Sequence, residues 1–255
     1  MMHRLFVSPG SIALDQVTFG SAAAHQLRHV LRLGSGARVV VLDDSGWEYE
    51  VELTHLGRDT ATGRVCDKKM PSTEPRLALT LYQGVLKADR FEWVLQKGTE
   101  LGVSRFVPVI SQRAVSTDAE RIESKRTRWE RIIQEAAEQS HRARLPRLAA
   151  PLSFPLACQQ GPKDHDRSFI PWEEAMDVSL VVALRALEHR PQSVALWIGP
   201  EGGFTAAEVA LAQEHLIQAV TLGPRILRAE TAGLAAATIV LSACGEMEGP
   251  ATPLR

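Results

Sequence analysis

The sequence has little net charge, few cysteines and no long hydrophobic run. Its 29 lysines and arginines balance 30 aspartates and glutamates, and a net charge of −1 argues against a protein that coats polyanions without selectivity. The longest segment of low charge, residues 231–244, is too short and too rich in alanine to span a bilayer, and we expect no signal peptide. Three separated cysteines without a C-x-x-C pair predict a reduced, cytoplasmic protein that has no disulfides.

Common catalytic and nucleotide-binding motifs are absent as well. The sequence contains no G-x-G-x-x-G, no G-x-x-x-x-G-K-[ST], no H-E-x-x-H and no G-x-S-x-G. Asp164, His165 and Asp166 are residue types that ligate metals, but they stand in a polar segment between two prolines, which is typical of a solvated loop. We therefore predict no metal site.

The N-terminal part of the chain has the pattern of β-structure. Residues 39–42 form a short apolar run, and after a turn the apolar residues alternate with glutamates over residues 47–53, which predicts a half-buried strand. Residues 67–76 carry two lysines and two prolines and offer little to bury, so we place a domain boundary there. Residues 1–72 then form a small barrel or sandwich, and residues 73–255 form a second domain.

The second part alternates strand-like and helical patterns. Short apolar runs predict strands at residues 77–81, 106–110, 180–184, 194–198 and 220–222. Pro108 indicates that its strand lies at an edge or ends there. Asp89-x-x-Glu92 and Thr117-x-x-Glu120 are capping-box signatures that predict helix starts, and the second opens one long helix that ends before Pro146. Apolar strands that alternate with helices indicate an α/β domain with a mostly parallel sheet.

Two loops that follow predicted strands are the candidate functional segments. The first, residues 198–205, reads I-G-P-E-G-G-F-T, and the second, residues 222–231, reads L-G-P-R-I-L-R-A-E-T. Ligands of parallel sheets bind beyond the carboxyl ends of the strands, and glycines allow the backbone to approach a ligand closely. The alternative is that each loop is only a tight turn between a strand and a helix. Two such loops close together in the sequence, both with charged residues among apolar ones, favour a site.

These two loops resemble the signature loops of the bacterial 16S rRNA uridine N3-methyltransferases, the RsmE family. The resemblance extends upstream to Q-K-G-T-E-L-G-V at residues 96–103 and E-A-A-E-Q-S at residues 135–140, and into the N-terminal part at R-L-F-V, residues 4–7, and H-V-L-R-L, residues 29–33. It therefore covers nearly the whole chain. This sequence departs from the family pattern at two places, with glycine instead of the usual alanine at Gly98 and histidine instead of the usual glycine at His141.

The resemblance implies both a fold and an activity. The fold is a SPOUT-type α/β domain with a parallel sheet, whose C-terminal segment forms a deep trefoil knot, preceded by a small PUA-like β-barrel that binds RNA. The activity is transfer of a methyl group from S-adenosylmethionine to N3 of uridine 1498 of 16S rRNA, in the assembled small ribosomal subunit. The resemblance also implies a cytoplasmic homodimer, with neither a membrane nor a metal as partner.

A site for S-adenosylmethionine needs close backbone groups, apolar walls and little free water. The glycines of both loops meet the first need, and leucines and isoleucines meet the second, with Leu184 placed at the end of an earlier predicted strand. The expected cofactor-binding residues are Leu184, Ile198, Gly199, Glu201, Gly202, Gly203, Leu222, Gly223, Ile226, Leu227, Arg228, Thr231 and Ala232.

The reaction requires a base and a group that stabilises an anion, because N3 of uracil has no available lone pair until its proton leaves. We interpret Glu201 and Glu230 as candidate bases and Arg228 as the residue that stabilises the uracil anion. For Glu230 the alternative is a structural place in the first turn of the last helix, where a carboxylate is favourable.

RNA contacts are expected from basic clusters despite the neutral total. Such clusters neutralise phosphates and position RNA without reading its bases, although the same residues also suit a solvated helix face. The expected RNA-binding residues are Arg4, Arg28, Arg32, Lys87, Arg142 and Arg144. Two other functions stay open from the sequence. One is an RNA-binding factor in ribosome assembly without catalytic activity, and the other is an α/β enzyme that uses a different nucleotide cofactor.

Overall fold

The computed structural model describes residues 2–87, 89–114 and 118–248. The chain divides into two compact units. The first contains residues 1–74 together with residues 134–145, and the second contains residues 75–133 and 146–255. Within the described residues, no helix has the length and apolar character needed to cross a membrane.

The first unit is built on a six-stranded sheet. Its strands are β1 (Arg4–Phe6), β2 (Ile12–Ala13), β3 (Gln16–Phe19), β4 (Arg38–Leu42), β5 (Glu48–Leu56) and β6 (Ala61–Lys69). The spatial order is β1-β4-β5-β6-β3-β2, and only β1 and β4 pair in parallel. A short helix α1 (Ser21–His25) continues into a π-helical turn, Gln26–Val30, and Leu27 of this turn is buried in the core of the sheet.

The alternating strand that the sequence predicts is β5, but its register differs from simple alternation. A bulge between Glu50 and Val51 shifts the pairing with β6. Glu48 is therefore buried, with 4% of its surface exposed, where the alternation places an exposed glutamate.

Residues 134–145 complete the first unit around Glu74. One carboxylate oxygen of Glu74 accepts the backbone N–H groups of Ala143 and Arg144 at 2.8 and 3.1 Å, and the other lies 2.9 Å from Nη2 of Arg142. Ala143 packs with Val40 and Leu42 in a small apolar cluster.

The second unit contains a seven-stranded sheet in which every pair is parallel, as the alternation of strands and helices predicts. Six strands follow the order β10-β8-β7-β12-β11-β13, and β9 also pairs with β8. The strands are β7 (Ala78–Gly84), β8 (Arg105–Ile110), β9 (Arg147–Leu148), β10 (Leu152–Ser153), β11 (Arg167–Pro171), β12 (Ser193–Ile198) and β13 (Gln218–Val220).

Helices cover both faces of this sheet. They are α2 (Asp89–Leu101), α3 (Ala119–Glu123), α4 (Arg126–Gln139), α5 (Phe154–Gln160), α6 (Leu180–Arg185), α7 (Ala206–Glu214) and α8 (Ala229–Ala243). Along β12, Leu196 faces the cluster that includes α2, α6 and α8, and Trp197 faces the cluster that includes α5 and α7. Strands that are buried on both faces explain the continuous apolar runs of the sequence.

The predicted strand at residues 180–184 is wrong, because these residues form α6. Ser179 caps the helix by accepting the N–H of Val182. Leu180, Ala183 and Leu184 are buried at helical spacing, whereas Val182 is 56% exposed. A run of five apolar residues fits either a buried strand or a buried helix, and its period does not distinguish them.

Three other predictions need correction. The polar segment that ends at Pro171 is typical of a solvated loop in the sequence, but its residues 167–171 form β11, which lies between β12 and β13 in the sheet. Pro108 lies in an interior strand, at the gap where neither β9 nor β10 pairs with β8. The predicted long helix is two helices, α3 and α4; α3 is capped by Asp118, and Thr117 lies outside the described residues.

Four helices end in the same backbone motif. After the last turn a residue takes positive φ, and the following N–H bonds to the carbonyl five residues earlier, which is the Schellman arrangement. The residues with positive φ are Gly102 (115°), His141 (64°), Leu216 (63°) and Gly245 (74°). The corresponding bonds are Val103 to Gly98, Arg142 to Ala137, Ile217 to Ala212 and Glu246 to Leu241, all 2.9 to 3.0 Å. At Gly102 the structure confirms the helix stop that glycine predicts.

Candidate active site

The carboxyl ends of four neighbouring strands of the second unit converge on one cleft. β7, β12, β11 and β13 are adjacent in the sheet, and each is followed by a segment that reaches this cleft. These segments are the start of α2 after β7, residues 199–205 after β12, residues 171–176 after β11 and residues 221–232 after β13. The two loops chosen from the sequence thus lie at one edge of the sheet, where ligands of parallel sheets bind.

The first cavity of the cleft has a volume of about 320 Å³ and a charged wall. The loop after β12 and the N-terminus of α8 form most of it. Its charged lining residues are Arg90, Glu173, Glu201, Arg228 and Glu230.

The second cavity has a volume of about 580 Å³ and a mainly apolar lining. It shares Pro171, Glu173, Ile226, Leu227 and Ala232 with the first cavity, so the two are parts of one cleft. Both volumes fall in the range of small-molecule sites, roughly 300–1,000 Å³. The apolar side chains around the second cavity include Trp172, Met176, Leu222 and Pro224.

Close backbone packing shapes the loop after β12. Gly203 has φ of +67°, a conformation that side chains other than glycine rarely adopt. A Cβ atom on Gly199 would lie 3.1 Å from the backbone carbon of Gly203, and one on Gly84 would lie 2.6 Å from the backbone nitrogen of Pro200. The carboxyl end of β7 therefore touches the loop directly at Gly84, and Gly199 lets the loop fold closely against itself.

Helix α8 approaches the sheet just as closely. A Cβ atom on Gly233 would lie 2.9 Å from Oε1 of Gln83, at the end of β7. Gln83 is 1% exposed, its Nε2 donates to the carbonyl of Gly84, and its Oε1 has no hydrogen-bond partner among the described residues. The glycine and alanine side chains of α8 are small enough to allow this close packing.

The structure brings together most of the residues expected to bind a cofactor. Ile198, Gly199, Glu201, Gly202, Gly203 and Arg228 line the first cavity, Leu222 and Gly223 line the second, and Ile226, Leu227 and Ala232 line both. Leu184 and Thr231 line neither. Leu184 is 7% exposed in the core beneath α6, so its expected place at a strand end is wrong.

The candidate bases share a neighbour that the sequence reasoning missed. Arg90, in the first turn of α2, has Nη1 at 3.6 Å from Oε1 of Glu201 and Nε at 3.8 Å from Oε1 of Glu230. Lys87 donates its backbone N–H to the same oxygen of Glu201 at 3.1 Å. The signal available in the sequence was a basic residue at the start of a helix that follows a buried strand.

Two of the six arginines and lysines expected to bind RNA are buried in ion pairs of the first unit. The side chain of Arg4 is 8% exposed and pairs with Glu48. The side chain of Arg142 is 5% exposed and pairs with Glu74. Their charges are neutralised by acids that lie far away in the sequence, and little of either side chain is exposed for RNA to contact.

The other four expected RNA ligands are exposed, and the structure adds one candidate. Arg28, Arg32 and Arg144 lie on the surface of the first unit, and Lys87 lies on the surface of the second. Arg113 of the second unit is also exposed, and its Nη1 donates to the carbonyl of Gly202 at 2.8 Å. No acidic partner of Arg113 is present in the part of the chain that the structure describes.

The segment at residues 164–166 is part of the fold. The ring nitrogens of His165 contact the carbonyl of Gly161 at 2.6 Å and Oγ1 of Thr80 at 2.8 Å. Asp166 accepts the N–H groups of Gln192 and Ser193, and these bonds lower the pKa of its carboxyl. Within residues 2–87, 89–114 and 118–248, no group of three or more histidines, cysteines or acids is placed to hold a metal ion.

Comparison with known proteins identifies both parts of the chain. Residues 73–241 match the family model of an RNA methyltransferase domain, and residues 21–66 match that of an RNA methyltransferase PUA domain. The ribosomal RNA small subunit methyltransferase E of Bacillus subtilis is 32% identical over 246 residues, which cover 94% of this chain and 96% of the relative. The enzyme of the same name from Synechocystis is 35% identical over 234 residues, covering 91% and 75%.

A solved structure agrees with these matches. The ribosomal RNA small subunit methyltransferase E of Neisseria gonorrhoeae, bound to S-adenosylmethionine, has a TM-score of 0.83 and 30% identity, and the match covers 95% of this chain and 98% of that chain. A family model that spans most of the chain and relatives above 30% identity lead to the same conclusion. The chain belongs to the ribosomal RNA small subunit methyltransferase E family.

Proposed function

We propose that this protein transfers a methyl group from S-adenosylmethionine to N3 of one uridine, number 1498, of 16S rRNA in the assembled small ribosomal subunit. The observation that carries the proposal is the two-part cleft at the carboxyl ends of β7, β12, β11 and β13. One part is apolar and the other is lined by three glutamates and two arginines, which suits a cofactor and an acceptor base side by side.

The residues of the cleft fit S-adenosylmethionine. Its flat adenine suits the apolar part, where Leu222, Leu227 and Trp172 form walls and Nε1 of Trp172 is a buried donor without a partner among the described residues. The glycines at 199, 202 and 203 bring backbone groups to the charged part, where carboxylates suit a sulfonium. When bound, the cofactor supplies an electrophilic methyl group, and the electron pair of its carbon–sulfur bond stays on sulfur.

The residues of the charged part carry out the chemistry on uracil. A carboxylate removes the proton from N3, with Glu201 and Glu230 as the candidates, and Arg228 stabilises the negative charge that spreads over O2 and O4. Arg228 is exposed at the N-terminus of α8 and has no ion pair with any residue that the structure describes, so its charge is available to the substrate.

RNA contact comes from the exposed cations of both units. Arg28, Arg32 and Arg144 serve on the first unit, and Lys87 and Arg113 serve at the loop after β12 on the second. These residues neutralise phosphates, and the target base is turned out of its stack to enter the cleft.

The finer architecture is part of the same proposal. The six-stranded sheet of the first unit is a PUA-like barrel that binds RNA, and the second unit is a SPOUT domain whose C-terminal segment is tied in a trefoil knot. The protein acts in the cytoplasm as a homodimer, without a metal.

Two experiments test the function. Calorimetry with S-adenosylmethionine separates it from the alternative of a non-catalytic assembly factor, because absence of binding contradicts a methyltransferase. Mass-spectrometric mapping of 16S rRNA from a deletion strain is expected to show loss of one N3-methyluridine, restored by the gene.

A third experiment tests the role of Arg228. Arg228→Ala is expected to lower methyl transfer far more than cofactor affinity, and an equal loss of both would contradict its catalytic role.

A further inference from the structure

Of the three glutamates that line the charged cavity, Glu201 and Glu230 face Arg90, and these two have different surroundings. Glu201 belongs to the loop after β12, and Glu230 lies in the first turn of α8. The side chain of Arg90 is 43% exposed, against 23% for Glu201 and 13% for Glu230. One arginine thus lies between two acids of unequal burial, and either acid is a candidate to receive the N3 proton of uracil.

The carboxylate of Glu201 accepts a hydrogen bond from a backbone N–H group. Its Oε1 accepts the N–H of Lys87 at 3.1 Å and also lies 3.6 Å from Nη1 of Arg90. Since Lys87 follows β7, this bond fastens the loop after β12 to the neighbouring strand end. A carboxylate with this role is occupied in the free protein, and its removal loosens the loop.

Glu230 has spare accepting capacity. Its Oε1 lies 3.8 Å from Nε of Arg90, whereas its Oε2 is buried and has no donor among the described residues. A buried acceptor without a donor is destabilising, and more so when it is charged. A carboxylate in this condition, in the wall of a cavity that takes a ligand, is suited to accept an N–H group of that ligand.

We propose that Glu230 is the catalytic base and that Arg90 is its positioning residue, whereas Glu201 anchors the loop; this inference rests on the proposed function. The proton leaves N3 of uracil for a carboxylate oxygen of Glu230, and the electrons of the N–H bond stay on N3 as the nucleophilic pair. Arg90 forms an ion pair with the other carboxylate oxygen, 3.8 Å from its Nε, and so fixes the orientation of Glu230.

The test measures single-turnover methylation of small subunits from a deletion strain at saturating S-adenosylmethionine. Glu230→Gln is expected to lower the rate about 10²–10⁴-fold, the usual contribution of a general base. Glu201→Gln is expected to lower it less than about 10-fold, and Glu92→Gln, on the same helix as Arg90 but outside the cavity, is the matched control. Calorimetry is expected to show that Glu230→Gln changes cofactor affinity less than about 3-fold.

Substrate acidity gives a readout that a structural role does not move. Small subunits that contain 5-fluorouridine carry a more acidic N3–H, because fluorine lowers the pKa of N3. The Glu230→Gln enzyme is expected to recover at least 10-fold on them relative to ordinary subunits, whereas the Glu201→Gln enzyme is not. The Arg90→Met enzyme is expected to methylate slowly, and the Arg90→Lys enzyme is expected to keep most of the rate. Because Arg90 acts through Glu230, the double variant Arg90→Met, Glu230→Gln is expected to have the same rate as Glu230→Gln alone, within about 3-fold.

Each contrary result has a distinct meaning. If Glu201→Gln is the variant that fluorine rescues, the roles of the two acids are reversed and the inference fails. If Glu230→Gln binds S-adenosylmethionine much more weakly, or Arg90→Met adds its full effect to Glu230→Gln, it also fails. If the unmodified protein neither binds the cofactor nor methylates small subunits, the proposed function itself fails. Thermal midpoints of all variants, expected within about 3 °C of the unmodified protein, show that the comparison is made on folded protein.

Discussion

His141 occupies a helix-ending position that favours glycine, so replacing it with glycine is expected to stabilise the protein. It follows α4 with φ of 64°, and the bond from the N–H of Arg142 to the carbonyl of Ala137 closes the Schellman motif. The left-handed conformation costs a residue with a side chain roughly 1–2 kcal/mol. Glycine avoids that cost but loses about 0.5–1 kcal/mol through its more flexible unfolded chain. The expected net gain is therefore about 0.5–1 kcal/mol.

Thermal unfolding of the full chain measures this gain. For a protein of this size, 1 kcal/mol moves the midpoint by about 2–4 °C, so His141→Gly is expected to raise it by about 1–4 °C. The midpoint of His141→Asn is expected to lie between those of the unmodified protein and His141→Gly, because asparagine tolerates positive φ better than most residues. His141 also accepts a hydrogen bond from Thr73 through its backbone carbonyl, and that bond survives every substitution of the side chain.

The other three helix ends are the controls. Leu216→Gly is expected to stabilise by a similar amount, since Leu216 is 87% exposed and its side chain contributes little packing. Gly245→Ala and Gly102→Ala are expected to destabilise, the latter more because its new Cβ would lie 2.6 Å from Cγ of Pro75. If His141→Gly lowers the midpoint while Leu216→Gly raises it, the histidine side chain has a stabilising contact that outweighs backbone strain, and our reasoning at this position is wrong.

Three further predictions concern a buried ion pair, a thiol and a phosphate contact. Arg4→Met is expected to destabilise the protein by about 3 kcal/mol or more in urea unfolding, because Glu48 is left buried without its main partner. Burial raises the pKa of the Cys158 thiol to about 12, so iodoacetamide at pH 8 is expected to label the exposed Cys66 and to reach Cys158 only after unfolding. Arg113→Gln is expected to weaken binding to small subunits and to reduce the slope of log affinity against log salt by about one, without changing cofactor affinity.

These three predictions have their own controls. Combining Arg4→Met with Glu48→Leu is expected to recover much of the stability, and a loss equal to that of the single change would contradict the account of the pair. Labelling of Cys158 in the folded protein would show that its surroundings open. Arg128→Gln removes an exposed arginine that pairs with Glu92, and an equal effect on the salt slope would show that Arg113 has no special place.

The sequence predicted the class of fold and the main loops of the cleft because these depend on local patterns. The apolar run at 194–198 with its glycine-rich successor and the alanine-rich last helix each show their structure within a few residues. The run at 180–184 was misread as a strand because its length and composition fit both kinds of element. β11 was missed because its burial depends on its neighbours in the sheet, and its own residues do not reveal it.

The ion-pair partners of the charged residues could not be predicted from local sequence. Arg4 and Arg142 read as surface cations in the sequence, but Glu48 and Glu74 neutralise them across 44 and 68 positions of the chain. Arg90 reads as an ordinary helix residue, and only the meeting of three segments places it between Glu201 and Glu230. Whether a charge is free or already paired is a property of the tertiary fold, so a count of basic residues in a segment does not predict its partners.

The first unit is built from two separate segments of the chain, and this limits where the protein can be cut into complete fragments. A fragment that ends at residue 72 lacks both Glu74 and residues 134–145, and it leaves Val40 and Leu42 without Ala143. Such a fragment is incomplete even though all six strands of its sheet are present. A gene fusion that transfers this unit to another protein must therefore also carry residues 134–145, which lie inside the methyltransferase region.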